Sequence, residues 1–387
     1  MDFASEGIRP ILAEGDCAGC HECVDVCPAV RTDFSANKAT DGSSDFVSSG
    51  FQNDWGPILE IWEGHAVDES IRFKGSSGGA LTALSAYCIE RHGMYGVLHT
   101  AQDPDDPIRN LSRISCTREE LKAAAGSRYS PASVCDGLDR VEQAPGPCVI
   151  IGKPVEIAGV NNARRMRPML HARIGVTLSF FCAESPSTGG TVALLNKMGI
   201  SSESVSDLRY RGDGWPGHFA PTQRGKSEPA ARITYRESWA FLQSYRPWSV
   251  HLWPDGAGEL ADISCGDPWY EEPDGKNPGF SLVVVRTEQG RQIVRGAIAA
   301  GYLNLKPAEP WKLAKSQKNL LGKKAAVWGR LLAMRMCGLP VPKFVGTNLF
   351  SCWIKLPQTE KLRSTLGTLR RILKRKLYKP LELKGEV

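Results

Sequence analysis

Four cysteines and a proline fall within twelve residues near the start of the chain, CAGCHECVDVCP, at Cys17, Cys20, Cys23, Cys27 and Pro28. Gaps of two, two and three residues let successive thiolates converge on one small inorganic core without a large loop. The setting narrows what that core can be. At 387 residues, 42% hydrophobic and 23% charged, the chain reads as a soluble globular protein of two or three domains. The opening MDFASEGIRP has neither the basic nor the apolar part of a secretory signal, and no apolar run reaches a membrane-spanning length. The expectation is a cytoplasmic protein, where clustered cysteines bind metal or do redox work and do not form disulfides. The other eight, Cys88, Cys116, Cys135, Cys148, Cys182, Cys265, Cys337 and Cys352, are scattered and read mostly as small buried side chains.

C-x2-C-x2-C-x3-C-P is the bacterial ferredoxin spacing for a [4Fe–4S] cluster. A zinc site is the alternative, but zinc sites usually show two cysteine pairs separated by a longer loop. In two-cluster ferredoxins the fourth cysteine serves the other cluster, and this chain has no second run. Either Cys27 closes this cluster or it shares the work with a remote cysteine. The assignment adopted is Cys17, Cys20, Cys23 and Cys27.

The net charge of +6 hides an asymmetry. Residues 302–387 carry 19 Lys and Arg against 4 Asp and Glu, whereas residues 1–301 carry 29 against 38. A basic tail on an acidic body suits an anionic partner or a membrane surface, or packing on the chain's own acidic body. GTLRRILKRKLYK reads as a basic amphipathic helix of the kind that lies on membranes, so peripheral contact at the inner membrane face is one expectation. Few aromatics interleave with the basic residues, and no nucleic-acid partner is expected.

Residues 31–57 are polar and rich in Ser, Asp and Gly and read as loop. Beyond residue 70, helical and strand patterns alternate. GGALTALSAYCIERHG is a helix closing on Gly93, and YGVLHTA is a strand. CTREELKAAAG carries Thr117 and Glu120 as a capping box ahead of a helix ended by Gly126. PCVIIGKP and RIGVTLSFFCAE are buried strands, TGGTVALLNKMGI is a helix, and ADISCGDPW and FSLVVVRT continue the strands. Such alternation predicts a partly parallel α/β sheet. The fold class expected is mixed α/β: an iron–sulfur segment with linker (1–57), a central α/β core (58–301) and a basic helical region (302–387).

RFKGSSGGALTAL places Ser76, Ser77, Gly78 and Gly79 directly before a helix. Two glycines allow close backbone approach, and a helix start favours an anion, with Lys74 adding charge. The turn is therefore either a cradle for a nucleotide phosphate or an ordinary capped turn. It is neither G-x-G-x-x-G nor a Walker A pattern.

With that turn the chain resembles the beta subunit of coenzyme F420-reducing hydrogenase and its dehydrogenase relatives, flavin and iron–sulfur oxidoreductases that include 7-hydroxymethyl chlorophyll a reductase. The carriers, in order, are the cysteine run, KGSSGGALTAL, TREELKAAAGSRYSPAS, IIGKPVEIAGV, SFFCAESPS, LRYRGDGWPGHF and WPDGAGELADISCGDPW. The resemblance implies that Ser76, Ser77, Gly78 and Gly79 lie at an FAD. It also implies that Tyr129, Lys153, Asp262 and Asp267 sit in segments of the flavin-facing core, although the two aspartates also suit a turn or cap beside a strand. Arg211 in YRGDGWPG touches substrate or cofactor, or marks a hairpin turn only. Where many relatives have cysteines, this chain has Val155, Val250 and Trp253, which cannot ligate iron. One cluster is therefore expected, not two.

The function expected is an oxidoreductase carrying one [4Fe–4S] cluster and FAD. It would take electrons from ferredoxin or a partner redox subunit and act on a small organic substrate. The alternative is an electron-transfer subunit of a larger complex with no substrate of its own. His218 and His251 are the candidate proton donors.

Overall fold

The computed structural model describes residues 19–35, 47–273 and 277–379, and the backbone of 2–4 and 7–9. Cys17 lies outside the described residues. An eight-stranded sheet organises the chain: β1 (Glu60–Ala66), β2 (Gly96–Gln102), β3 (Asn110–Ser115), β4 (Cys148–Gly152), β5 (Ile174–Phe180), β6 (Ile263–Gly266), β7 (Ser281–Val285) and β8 (Leu303–Pro307). Their spatial order is β8-β1-β7-β6-β5-β4-β2-β3. The middle four, β6-β5-β4-β2, are parallel. The strands outside them join antiparallel.

The continuous apolar runs SLVVV and CVII explain the arrangement. Val283, Val284, Val285, Val149 and Ile150 are all fully buried, as befits strands covered on both faces. Helix Ala80–Arg91 packs on one side through Ala83, Leu84 and Cys88, together with Ile293 and Val294 of helix Glu288–Ala299. Helix Pro154–Met166 packs elsewhere with Ile157 and Val160. The Thr117–Glu120 capping box forms as expected. A smaller sheet of Val205–Arg209, His218–Gln223 and Ile233–Thr234 stands beside the core and builds its own cluster around Tyr210 and Phe219.

Two expectations differ from the structure. Residues 31–57 contain helix Ser49–Trp55, capped by Ser48 and anchored by buried Trp55. They also contain strand Arg31–Asp33, which pairs parallel with Lys343–Val345 more than 300 residues away. Short-range composition holds no sign of such a partner. The sheet also runs past residue 301, because β8 is its edge strand.

Buried charge binds these layers. Arg286, fully buried, donates to the carbonyls of Trp55 (2.8 Å), Pro57 (2.9 Å) and Ala257 (2.8 Å) and to Ser264 Oγ (3.2 Å). Asp255 accepts the N–H groups of Ala257, Gly258 and Glu259 and so holds the loop that Arg286 grips. Lys324, on helix Lys318–Met336, closes the network on Glu259 at 2.7 Å. Arg286→Met removes the guanidinium that ties this set together and leaves Lys324 as its remaining cation. It is expected to cost about 3–5 kcal/mol, read as a lower midpoint in urea unfolding.

The basic C-terminal region packs on the core. His251 lies beneath helices Lys318–Met336 and Gln358–Arg375, and its carbonyl accepts from Arg330 at 2.6 Å. Burial, reinforced by Arg246, Arg330, Lys323 and Arg371, lowers its pKa from 6.5 to about 3. A depressed histidine favours the folded state fully above its unfolded pKa and loses that contribution as the pH falls. Stability should therefore decline between about pH 6.5 and 3, and His251→Gln should flatten that part of the urea-midpoint profile.

Candidate functional site

A cavity of about 350 Å³ opens at the carboxyl ends of β4, β5 and β6, where ligands bind in parallel α/β sheets. Each strand delivers its next residue to the wall: Lys153 after β4, Phe181 and Cys182 after β5, Asp267 after β6.

The serine–glycine turn forms one side. Gly79, at φ +74°, opens helix Ala80–Arg91, whose first residues Ala80, Leu81 and Thr82 line the cavity. The first N–H groups of a helix have no partner within it, so they are available to a ligand. Both glycines are enforced by packing. A Cβ on Gly78 would meet the Phe280 Cα at 2.6 Å and the Gly64 carbonyl at 2.7 Å, and one on Gly79 the Ile71 carbonyl at 2.8 Å. Ser281 of β7 pins the turn, accepting Gly78 N–H at 2.9 Å and sharing a hydrogen bond with Ser77 Oγ. Ser76 Oγ accepts Ser127 N–H at 2.6 Å, which joins the turn to the GSRY loop.

Arg211 locks this side to the rest. Its guanidinium, 3% exposed, makes two parallel bonds to Asp267 (2.6 and 2.9 Å) and donates to the Ser76 carbonyl at 2.5 Å and the Pro216 carbonyl at 3.0 Å. It lies over the Tyr235 ring at 4.4 Å, and Tyr235 stacks on Trp269. Burial opposes its charge, but the Asp267 carboxylate outweighs burial and keeps it firmly protonated. Tyr129 sits in the same aromatic wall, 5.0 Å from Trp239 centre to centre, and burial raises its phenol pKa. Arg128 holds that loop by donating to Asn110 Oδ1, Gln102 Oε1 and the Leu208 and Pro107 carbonyls.

At the other end Lys153 pairs with Glu156 at 2.5 Å, and Glu156 also accepts Lys153 N–H at 2.7 Å. Burial disfavours the ammonium, but Glu156 outweighs it and raises the Lys153 pKa. Cys182 is beside them, its thiol pushed up to about 12 by burial. Glu184, at φ +75°, holds a backbone shape rare for a residue with a Cβ, donates its N–H to Cys182 Sγ and pairs with Lys323 at 3.4 Å.

Helix Pro154–Met166 connects this end to the cysteine segment. Asn162 donates to the carbonyls of Val26 (3.3 Å) and Arg31 (3.1 Å), and a Cβ on Gly159 would touch Pro28 and Cys135. At 1.5 Å per residue, Gly159 stands about 9 Å along the axis from Lys153. Cys20, Cys23 and Cys27 lie around the short helix Glu22–Asp25, with Cys20 and Cys23 exposed. Among the described residues no three metal-ligating side chains converge, and Cys17, the first cysteine of the run, lies outside them. The donor set, soft thiols on one tight loop, suits an iron–sulfur cluster. Val155 and Trp253 meet in one apolar cluster, where Trp253 packs on Phe34 and Phe344.

Of the residues singled out from sequence, Ser76, Ser77, Gly79, Tyr129, Lys153 and Asp267 line the cavity. Gly78 backs the turn from behind. Lys74 contributes its carbonyl, which accepts from Arg209 at 3.4 Å, and its side chain is not part of the wall. Asp262 lies off the cavity. It accepts Thr177 N–H and Oγ1 and the hydroxyl of Thr287, and so ties β5 to the cap of helix Glu288–Ala299. His218 is exposed on its strand, and His251 is packed away under the C-terminal helices. The histidine that does line the cavity is His99, with one ring nitrogen on Ser115 Oγ and the other on the Thr100 carbonyl. Tyr235 and Trp239 were missed, although the capping box Thr234–Glu237 marks their helix in the sequence.

Two family descriptions match the chain: "Coenzyme F420 hydrogenase/dehydrogenase, beta subunit N-term" over residues 61–138, and the corresponding C terminus over residues 147–310. Coenzyme F420 hydrogenase subunit beta of Methanococcus voltae is 28% identical over 72% of this chain and 95% of its own length. Its counterpart from Methanothermobacter thermautotrophicus is 25% identical over 74% and 99%. Coenzyme F420-dependent sulfite reductase of Methanocaldococcus jannaschii is 22% identical over 63% of this chain but only 38% of its own length. Among solved structures, a chain of the F420-reducing [NiFe] hydrogenase complex from Methanosarcina barkeri shares the fold, with a TM-score of 0.57, 22% identity, and coverage of 73% of this chain and 96% of that one. These relatives are subunits and enzymes of redox chemistry, and no helix among the described residues is long and apolar enough to cross a membrane. The two matched stretches span more than half of the sequence, and the protein belongs to the coenzyme F420 hydrogenase/dehydrogenase beta subunit family.

Proposed function

We propose that the protein is an oxidoreductase that passes electrons between one [4Fe–4S] cluster, held by Cys17, Cys20, Cys23 and Cys27, and an FAD seated in the cavity, to reduce or oxidise an organic substrate. The observation that carries this reading is helix Pro154–Met166, which abuts the cysteine turn at Gly159 and Asn162 and has Lys153 at its start in the cavity wall. When bound, the cluster supplies one-electron transfer and the flavin supplies hydride exchange with the substrate.

The residues do the holding. The N–H groups that open helix Ala80–Arg91 line the cavity and would hold the FAD phosphates. Tyr129, Tyr235 and Trp239 offer flat apolar surface to a ring system and keep water from it. The Lys153–Glu156 pair holds a protonated ammonium against the cavity, and burial keeps Cys182 a neutral thiol there. Trp253 and Val155 fill space with carbon, which supports one cluster and not two. Electrons would come from ferredoxin or a partner redox subunit. Coenzyme F420, which the relatives' names carry, is the first substrate to offer.

A second reading, an electron-transfer subunit with no substrate of its own, is favoured by the relatives' being named as hydrogenase subunits. Anaerobic visible spectra with iron and flavin quantified test the cofactors: about four irons and one FAD per chain are expected. Zinc without iron, or no yellow chromophore, rejects the proposal, and about eight irons rejects the single cluster. Reoxidation of the reduced protein by small molecules, F420 first, supports the enzyme. Reoxidation only by another redox protein supports the subunit.

Asp267→Ala leaves the Arg211 guanidinium buried and unpaired. It should lower stability by about 3–5 kcal/mol in urea unfolding and release FAD from otherwise folded protein. Gly79→Val, strained by φ and by contact with Ile71, should lose flavin while retaining iron.

A further inference from the structure

Helix Gln358–Arg375 turns its apolar side outward. It packs on helix Lys318–Met336 through Ser364, Thr368 and Ile372, each at most 4% exposed, a face that is two-thirds polar. Ser364 touches Trp353 Nε1 at 3.0 Å. Leu362, Leu366 and Leu373 are instead 56%, 58% and 69% exposed, and Leu369 is half-buried between them. At about 100° per residue these four leucines fall within an arc of about 60°, and the buried face is centred about 130° away. Arg363, Arg370 and Lys374 follow directly on one edge of that arc, all exposed. Residues 355–379 hold nine Lys and Arg against one Glu. Beyond the helix end come exposed Lys376, Tyr378 and Lys379, the last two near residues where the basic charge is densest. All of this lies past residue 310, where the match to the family ends.

We propose that this helix is a docking surface for an anionic lipid bilayer. It would lie in the plane of the interface with its leucines at the acyl boundary and its arginines and lysines among the headgroups. An interfacial helix needs an apolar stripe, a basic rim and no net spanning length, and this element has all three. Tyr378, with an apolar ring and a polar tip, is suited to the same depth. Charge decides against a second copy as occupant, because a symmetric pairing would set two such basic faces against each other. Leucines that protrude from a convex helix also offer no groove for an acidic peptide, whereas a fluid bilayer conforms to them. The surface is independent of the cofactors proposed for the cavity.

Flotation of the full-length protein with phosphatidylcholine vesicles containing about 30% phosphatidylglycerol tests the proposal. The wild type should float with these vesicles and not with pure phosphatidylcholine. Raising NaCl from about 0.1 to about 0.5 M should weaken binding, since screening shortens to a few ångströms. Leu366→Glu with Leu373→Glu should reduce binding at least about tenfold. Both positions are exposed, so the melting midpoint should hold. If the glutamates lower it, Leu366→Ala with Leu373→Ala serves in their place, as alanine preserves the helix. Absence of flotation, equal binding to both vesicles, or binding untouched by the leucine variants overturns the proposal. So does a dimer in light scattering that the leucine variants abolish, or an acidic protein held through these residues without any vesicle binding.

Discussion

The Arg211–Asp267 pair holds the cavity open in one shape. A guanidinium this deeply buried is tolerable only because its donors are met: two on a carboxylate, others on the carbonyls of Ser76 and Pro216, with the flat face covered by Tyr235. Each of those partners comes from a different segment. The serine–glycine turn, the YRGDGWPG loop, the loop after β6 and helix Tyr235–Leu242 would otherwise be four mobile edges around a hole. One planar side chain with five fixed donors sets their mutual positions, which a lysine, with a point charge and rotating donors, could not do.

A second set of buried charges does the same for the layers beneath. Arg286, Asp255, Glu259 and Lys324 link β7, the loop before β6, the helix at residues 49–55 and the long C-terminal helix. Burial raises the pKa values of Asp255 and Glu259 and lowers that of Arg286, so each group is unfavourable alone and acceptable only in the company of the others. Such a network fixes which loop meets which helix more than it adds net stability. Core and C-terminal region are joined through it, and the cavity inherits that registration.

What the sequence disclosed follows from range. Capping at Thr117 and Glu120, the valine run of β7 and the helix from Ala80 depend on neighbours within a few residues, and they are where the pattern put them. The cavity residues next to strand ends, Lys153 and Asp267, came from the family resemblance and not from local pattern. Asp262 shows the limit: as an aspartate beside a strand it looked equivalent to Asp267, yet its carboxylate is used up by Thr177 and Thr287, hydroxyls 85 and 25 residues away. Arg31–Asp33 paired with Lys343–Val345, and His99 in place of His218 or His251, are likewise decided by contacts that no local window contains.

The cavity is also divided by origin. Its turn, its strand ends and Arg211 lie within residues 61–310, the part of the chain that matches the family. Ser316, Gln317, Asn319 and Leu320, which close another wall, come after that limit. They are held there by specific bonds: Gln317 donates to the Asp267 carbonyl at 3.0 Å, and Ser316 Oγ accepts Tyr270 N–H at 3.2 Å. Lys323, one turn further on, reaches the strained Glu184. Whatever enters beside these residues meets a wall built by side chains outside the two matched family stretches.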